Sequence, residues 1–509
     1  MISALLLVSS AGLQSGTQAP NPAPTPVPAA PNPQDPQADP QAGLYGAGKG
    51  LELTLEGAWE IALQQNLGFA SEVLNTDLAL YNYRGSFGTF DWLFHAGAGL
   101  VDTKGQPQSV FGGEDVNSQT GSVDFTRFFD IGGTLRTSFS SVNTKTNSSI
   151  TTVNHDLVSL TYTQPLLRGA WKEYNTALQR ESELVWRQQV ESERAARQKL
   201  LLDVSIAYWD LVAARDQLEV KVSSVDLAKA QVEQEQRRLD AGVGTRLDVL
   251  QAETQVATRE QERLAADVSV RGAADVLRAL IFPGKDPDRW ETAILTKTQL
   301  PDEASASDAP TWTHALDLAL DQRAELHQQR LRIDIMALHH DLSRSDKRPQ
   351  LNLELGATGE GFSGDSGTAF DDALSFNFPT LSARVNVSIP IGNTTAKWAM
   401  ESAWINLRRA RLEYAQIESR IAAEVRLAVR QMLYQAESVK AARKSIELAR
   451  EQLKAEEARR QVEITTNFQV LQFQQDLVAA ISSEKAARAN FVKAQVVLQH
   501  AEGLLGERP

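Results

Sequence analysis

Four stretches of this 509-residue chain, 172–240, 246–280, 394–462 and 468–505, hold no proline and almost no glycine. They are rich in Ala, Glu, Gln, Arg and Leu, residues that lose little on entering a helix. At 1.5 Å per residue, a run of about 68 residues makes a rod of about 100 Å. A chain with rods of that length does not wrap around one deep core. Apolar positions along them are sparse and small, as at Leu247, Leu250, Ala257 and Leu264. Such a stripe lays helix against helix in a shallow coiled-coil layer, with charge on the other faces.

The helices belong to an internal repeat. Thr54-Leu-Glu-Gly-Ala58-Trp-Glu-Ile-Ala62 pairs with Thr311-Trp-Thr-His-Ala315-Leu-Asp-Leu-Ala319, each opening on a threonine suited to cap a helix. Tyr162-Thr-Gln-Pro165 matches Val387-Ser-Ile-Pro390, and Arg238 to Ala252 aligns with Arg459 to Phe473. The offset falls from 257 at the threonines to 225 at the prolines and 221 at the end, so the second copy has lost residues before its proline. Repeat 1 is read as 53–285, with short helices at 54–85, strands at 91–167 and a helical hairpin at 172–280. Repeat 2 is read as 311–505, with short helices at 311–345, strands at 350–391 and a hairpin at 394–505. A linker, 286–310, joins them.

Between short helices and hairpin, the pattern changes to a period of two. Leu351, Leu353, Leu355 and Ala357 alternate with polar residues, as do Val385, Val387 and Ile389. In the first copy Trp92, Phe94, Ala96, Ala98 and Leu100 share one face. Each strand therefore has one apolar and one polar side. An extra hairpin is expected at 121–141, turning at Gly132-Gly133. The stretches 103–120, 142–155 and 359–378, rich in Gly, Ser, Asn, Thr and Asp, are expected as loops. No window offers 18 consecutive apolar residues, so membrane insertion would require a barrel. Residues 1–18 contain a short apolar run like that of a secretory signal, although the first basic residue is Lys49. Residues 19–52, with nine prolines between 20 and 40, read as an extended leader.

Two motifs carry a resemblance. Arg238-Leu-Asp-Ala-Gly242-Val-Gly244-Thr-Arg-Leu-Asp248-Val249-Leu250 joins the first pair of rods, and Gln164-Pro165-Leu-Leu-Arg-Gly169 ends the first set of strands. With four long helical segments and two halves, the chain resembles the TolC family of outer-membrane efflux and secretion channels from Leu53 to its C-terminus. The resemblance implies a mixed, mostly α fold. Three chains would form a β-barrel in the outer membrane, with four to six strands from each protomer. A long α-helical barrel would continue it through the periplasm. Twelve or eighteen strands both remain open, according to whether the added hairpin joins the sheet.

The same resemblance implies a passive exit duct of a tripartite efflux pump or type I secretion system. Its partners would be a homotrimer, a periplasmic adaptor, an inner-membrane ABC or proton-driven pump, and outer-membrane lipid. The adaptor would meet the hairpin tips, Gly242, Val243, Gly244 and Thr245 in one and Ile464, Thr465 and Thr466 in the other. The second tip lacks glycine, and Asn467 offers a left-handed turn position instead. A periplasmic gate would form at Asp248, Glu463, Gln469, Gln472 and Asp476. The two glutamines stand where well-studied family members carry aspartate. Strand-to-helix turns would lie at Pro165 and Gly169, and at Pro390 and Gly392. Aromatic residues such as Phe90, Trp92, Phe128, Phe129, Tyr162, Trp171 and Trp398 fit interfacial girdles.

Composition narrows the alternatives. With 51 basic against 64 acidic residues the net charge is −13, which argues against a nucleic-acid partner. There is no cysteine, hence no thiol chemistry, disulfide or thiolate metal site. The seven histidines are scattered, and the phosphate-loop, GxSxG and HExxH patterns are missing, so no enzyme activity, metal or cofactor is expected. The competing reading is a trimeric coiled-coil structural or adhesin-like envelope protein.

Overall fold

The computed structural model describes residues 51–104, 115–146, 152–301, 310–462 and 464–506. Residues 1–50, covering the expected signal and nearly all of the leader, lie outside the described residues, as does Glu463.

The chain opens with β1 (Leu51–Leu53), α1 (Leu55–Gln65) and α2 (Leu67–Ser86). Four strands follow: β2 (Trp92–Thr103), β3 (Val116–Phe128), β4 (Thr134–Thr146) and β5 (Val153–Pro165). After the short α3 (Lys172–Asn175) come the rods α4 (Ala177–Asp240) and α5 (Arg246–Ile281). The connection holds α6 (Pro287–Glu291) and β6 (Ile294–Thr296). Repeat 2 runs through α7 (Trp312–Gln322), α8 (Ala324–Asp346), β7 (Gln350–Ser363), α9 (Ser366–Ser375), β8 (Pro379–Ser388), α10 (Thr394–Gln461) and α11 (Asn467–Ala501).

Six strands form one antiparallel sheet in the order β2-β3-β4-β5-β7-β8, so the added hairpin joins it and each chain supplies six strands rather than four. Register carries the alternation across the sheet. Phe94, Phe125, Thr137, Leu160, Ala357 and Leu381 form one row. The next row, on the opposite face, is His95, Asp124, Ser138, Ser159, Thr358 and Thr380. The hairpin turn is fixed by glycine at two points. Gly132 has φ +87°, and a Cβ on it would lie 2.2 Å from the Gly169 carbonyl oxygen. A Cβ on Gly133 would lie 2.4 Å from the Tyr162 hydroxyl. Any larger residue would push this turn off the strand-to-helix crossover.

The rods lie side by side in the order α5-α4-α11-α10. Their shared core sits at mid-length, where both repeats meet. Leu201, Val204, Tyr208 and Leu211 of α4 pack there with Leu277 and Ile281 of α5, Val425 and Met432 of α10, and Phe491 of α11. Strands β1 and β6 close this belt as a two-stranded parallel sheet, with Leu51 opposite Ile294. The Tyr208 hydroxyl donates to the Leu53 carbonyl at 3.0 Å, and the Trp59 indole donates to Ser205 at 2.8 Å.

Several expectations need correction. The stretch 359–378 is not a loop: β7 continues to Ser363 and α9 follows. Strands also extend into the other two supposed loops, to Thr146 on β4 and from Val116 on β3. Thr54 caps α1 by accepting from the Gly57 amide at 3.1 Å, whereas Thr311 makes no such bond at α7. The segment 286–310 is more than a linker, since β6 completes the belt with β1. Asn467 does not take the left-handed position; it is the first helical residue of α11, and the non-glycine residues with positive φ among those described are Phe376 and Asn393.

Candidate functional site

The two tips are built alike from repeat-related residues. In the first, α4 ends at Asp240 and Gly242 turns the chain with φ +77°. The amides of Val243 and Gly244 both donate to the Arg238 carbonyl at 3.0 Å. Thr245 then caps α5 in a reciprocal box: the Asp248 amide donates to the Thr245 hydroxyl at 3.2 Å, and the Thr245 amide to the Asp248 carboxylate at 3.1 Å. In the second tip the Ile464 amide donates to the Arg459 carbonyl at 3.1 Å, and the Thr466 amide to the Gln469 side chain at 3.4 Å. Asp248 and Gln469 thus occupy the same third helical position, where each satisfies an amide the helix leaves unpaired. Hydrogen bonding from Thr245, then the charges of Arg460 and Arg238, hold the Asp248 carboxyl below its ordinary range.

Among the expected gate residues, Gln472 donates to Asp476 at 3.2 Å. Neither Asp248 nor Gln469 shares a hydrogen bond with them among the described residues. Val243 and Ile464 are exposed at the two points, as are Leu247 and Phe468 beside them, so each tip carries a matching apolar pair.

Sequence reasoning missed the buried charges beneath the tips. Glu235 is 1% exposed and receives Arg460 from the other hairpin at 3.3 Å, with Arg238 3.7 Å away. Its repeat partner Glu456 is also buried and lies against Arg459 and the Thr465 hydroxyl. The signal was present as Glu-x-x-Arg at 235–238 and again at 456–459.

At the other end of the rods, the strand-to-helix turns sit as follows. Pro165 is the last residue of β5, and Gly169 turns with φ +79°. The Arg168 guanidinium and the Tyr174 hydroxyl both donate to Asp346 at the end of α8, at 3.0 and 2.7 Å. Pro390 and Gly392 lie exposed between β8 and α10; Gly392 has φ +82°, and Asn393 beside it donates to the Lys347 carbonyl at 3.0 Å. Aromatic rings gather here: Phe90 stacks on Phe128, Phe129 meets Tyr162 edge-on, and the Arg127 guanidinium lies over both Trp92 and Phe129.

The sheet between these turns and the outer end has strands of 10 to 14 residues, enough to cross a hydrocarbon layer when tilted. One face exposes Trp92, Phe94, Leu381, Val385 and Val387. The opposite face is dominated by serine and threonine, and its charges are paired. Arg136 holds Asp124 at 2.8 Å, Arg384 faces Glu354 at 3.4 Å, and His155 meets Glu360 at 2.7 Å. The apolar face suits lipid and the hydroxyl-rich face suits water.

In the belt, Arg323 is 5% exposed and joins the α7–α8 corner to α10 and α11. It donates to Glu325 at 2.8 Å, Glu424 at 3.2 Å and the Ala501 carbonyl at 3.3 Å. Burial, then the Arg323 charge, pushes the neighbouring His500 imidazole below its ordinary range, against the opposing pull of Glu325 and Glu424. The folded belt therefore prefers His500 neutral. Below its free value of about 6.5, the unfolded chain takes up a proton that the folded chain resists, so stability falls with falling pH. Thermal unfolding at pH 7.5 and 5.5 should show this loss, and His500→Gln should reduce it. An equal acid loss in the variant would assign the effect to other groups.

Among the described residues no helix is long and apolar enough to cross a membrane, and no group of three His, Asp or Glu side chains is placed to hold a metal.

The fold and both repeats have known counterparts. The family described as outer membrane efflux protein matches residues 116–281 and 315–504. The alkaline protease secretion protein AprF of Pseudomonas aeruginosa is 24% identical over 317 residues, which is 62% of this chain and 63% of that protein. The outer membrane efflux protein BepC of Brucella suis is 26% identical over 317 residues, 62% of this chain and 65% of that protein. The match thus spans less than two thirds of either relative. The structure of the outer membrane protein VceC from Vibrio cholerae superposes with a TM-score of 0.65 at 17% identity, covering 88% of this chain and 96% of that one. For the Campylobacter jejuni CmeC outer membrane channel the TM-score is 0.64 at 14% identity, with 93% and 94% covered. At these identities the likeness is one of fold. With the family match reaching through both repeats, the chain belongs to the outer membrane efflux protein family, and its place is the outer membrane.

Proposed function

We propose that three copies of this chain close into an exit duct that conducts cargo passively across the outer membrane and periplasm. The observation that carries this reading is that both lateral edges of the protomer are left open for a neighbour. Among the described residues strands β2 and β8 are unpaired sheet edges, which need a partner. The outer rods carry apolar stripes that are left exposed among the described residues. On α5, Leu247, Leu250, Leu264 and Val268 are exposed, while Val249, Ala252 and Leu277 pack inward. On α10, Trp398, Ile405 and Leu412 recur at seven-residue spacing and are exposed. A head-to-tail contact that repeats around an axis closes a ring, satisfying sheet and rods at once. Three is the number the family resemblance implies, and three times six strands gives an eighteen-strand barrel.

The relatives' names speak of secretion for AprF and efflux for BepC. Either use fits a duct, with a periplasmic adaptor at the tips and an ABC or proton-driven pump in the inner membrane supplying the energy.

Extraction from outer membranes should yield a detergent-stable, SDS-resistant trimer. Replacing Leu250 and Leu264 together by Glu places six carboxylates in the contacts between rods and should turn that trimer to monomer. A monodisperse monomer from the wild type without detergent would overturn the reading.

A further inference from the structure

Helix α9 lies on the outward face of the sheet, and we propose that it is a lipid-contacting collar at the outer rim of the barrel. Its apolar flank would be bound by the acyl chains at the edge of the outer leaflet. The inference rests on the barrel reading above, in which the apolar sheet face meets lipid.

The seat is built for a helix. Odd-numbered residues of β7 form the apolar face, and at its outer end they become Gly359 and Gly361. A Cβ on Gly361 would lie 1.8 Å from the Ala369 carbonyl oxygen, and one on Gly359 would lie 2.2 Å from that of Ala373. Ala369 and Ala373, one turn apart, are fully buried against this track. Both ends of α9 are closed. Asp365 accepts from the Thr368 amide at 3.0 Å, and Phe376 terminates the helix in the left-handed conformation with φ 54°. A phenylalanine there is strained, yet its ring reaches within 3.2 Å of where a Gly359 Cβ would stand.

What α9 covers explains its use. Just beyond the apolar rows, the same sheet face turns polar at Asn154 and Asp156, which are 4% and 3% exposed. One Asp156 oxygen has no hydrogen-bond partner among the described residues. Left bare at the rim, these groups would meet hydrocarbon at high cost. The helix hides them and offers Phe370 and Leu374 instead, 44% and 55% exposed. Phe370 also meets Phe139 of β4 edge-on at 5.3 Å, so this flank continues the apolar surface of the strands. Asp371 and Ser375 are exposed on the side facing away from the sheet. A short helix with one apolar flank and one acidic side suits the boundary between hydrocarbon and water.

The chain has no cysteine, so single cysteines placed in the full-length trimer report their own surroundings through a nitroxide label. In lipid vesicles, labels at 370 and 374 should collide several-fold more with oxygen than with a water-borne nickel chelate. Labels at 371 and 375 should show the reverse. In the Leu374→Cys background, Gly361→Val should unseat the helix and shift the label toward the chelate. A label at Val385, in the middle of the apolar band, separates the two claims. If 385 reports lipid while 374 favours the chelate, or is shielded from both reagents, the collar is wrong and the barrel stands. If 385 itself favours the chelate, the barrel reading fails with it.

Discussion

Replacing Gly244 by proline should reduce export to background while leaving the trimer intact. The Gly244 amide is one of two that donate to the Arg238 carbonyl and close α4. Proline removes it, and any Cβ at 244 would already lie 2.9 Å from the Leu239 amide nitrogen. The turn must then open, carrying the Thr245–Asp248 cap and exposed Val243 with it. The change lies one full rod from the sheet: α4 has 64 residues, about 96 Å at 1.5 Å each. Barrel closure and belt packing should be untouched, so SDS resistance persists. A bulky charged residue at Val243 should act on docking alone, without opening the turn. Full export by Gly244→Pro, with unchanged crosslinking of the tip to its adaptor, would show that docking does not use this tip.

Trivalent cations added from the periplasmic side should block the wild-type channel only weakly. Changing Gln469 and Gln472 both to Asp should tighten block by about ten-fold or more and make it sensitive to salt. Two positions in three chains add six negative charges around one constriction. In the wild type those positions carry dipoles without charge. Gln472 is already engaged with Asp476, and Gln469 with the Thr466 amide. Asp248 stays ionised, but its carboxylate is committed to the Thr245 cap and lies within the field of Arg238 and Arg460. Residual block should therefore trace to Asp248, Glu463 or Asp476. Tight wild-type block that survives removal of all three would place the constriction elsewhere.

Periodicity made the rods, the alternating strands and the added hairpin readable, because each is a long element whose pattern repeats many times. The three-residue strands of the belt and helix α9 were not readable. Strands β1 and β6 have three residues each and pair across more than 240 positions, from Leu51 to Ile294, so no local signal exists. Helix α9 looked like a loop because Ser366, Gly367, Asp371, Asp372 and Ser375 are poor helix formers. Its helicity comes from Ala369 and Ala373 meeting the glycine track, a tertiary cause.

At the candidate site the tips were found by glycine and by the repeat, and the structure adds a capping role that the sequence reading did not assign. Asp248 and Gln469 are cap residues first. The signature, threonine followed three residues later by Asp or Gln, was in view at both tips. Glu235 and Glu456 were passed over because a charged helical residue usually faces water. Their burial depends on packing between hairpins, as shown by Arg460 reaching Glu235 across 225 positions. The stripe Leu247, Leu250 and Leu264 was expected to pack on neighbouring helices, and within one chain it is left more than half exposed. That exposed seam argues for a ring of chains.

Ion conductance of the purified, detergent-extracted protein in planar lipid bilayers tests the central claim most directly. Three chains closing an eighteen-strand barrel should give discrete, uniform conductance steps. Leu250→Glu with Leu264→Glu, which breaks the contacts between rods, should abolish them. A protein that inserts stably, remains trimeric and never conducts, even with the tip glycines replaced to loosen the periplasmic end, would contradict the duct and favour a structural role in the envelope.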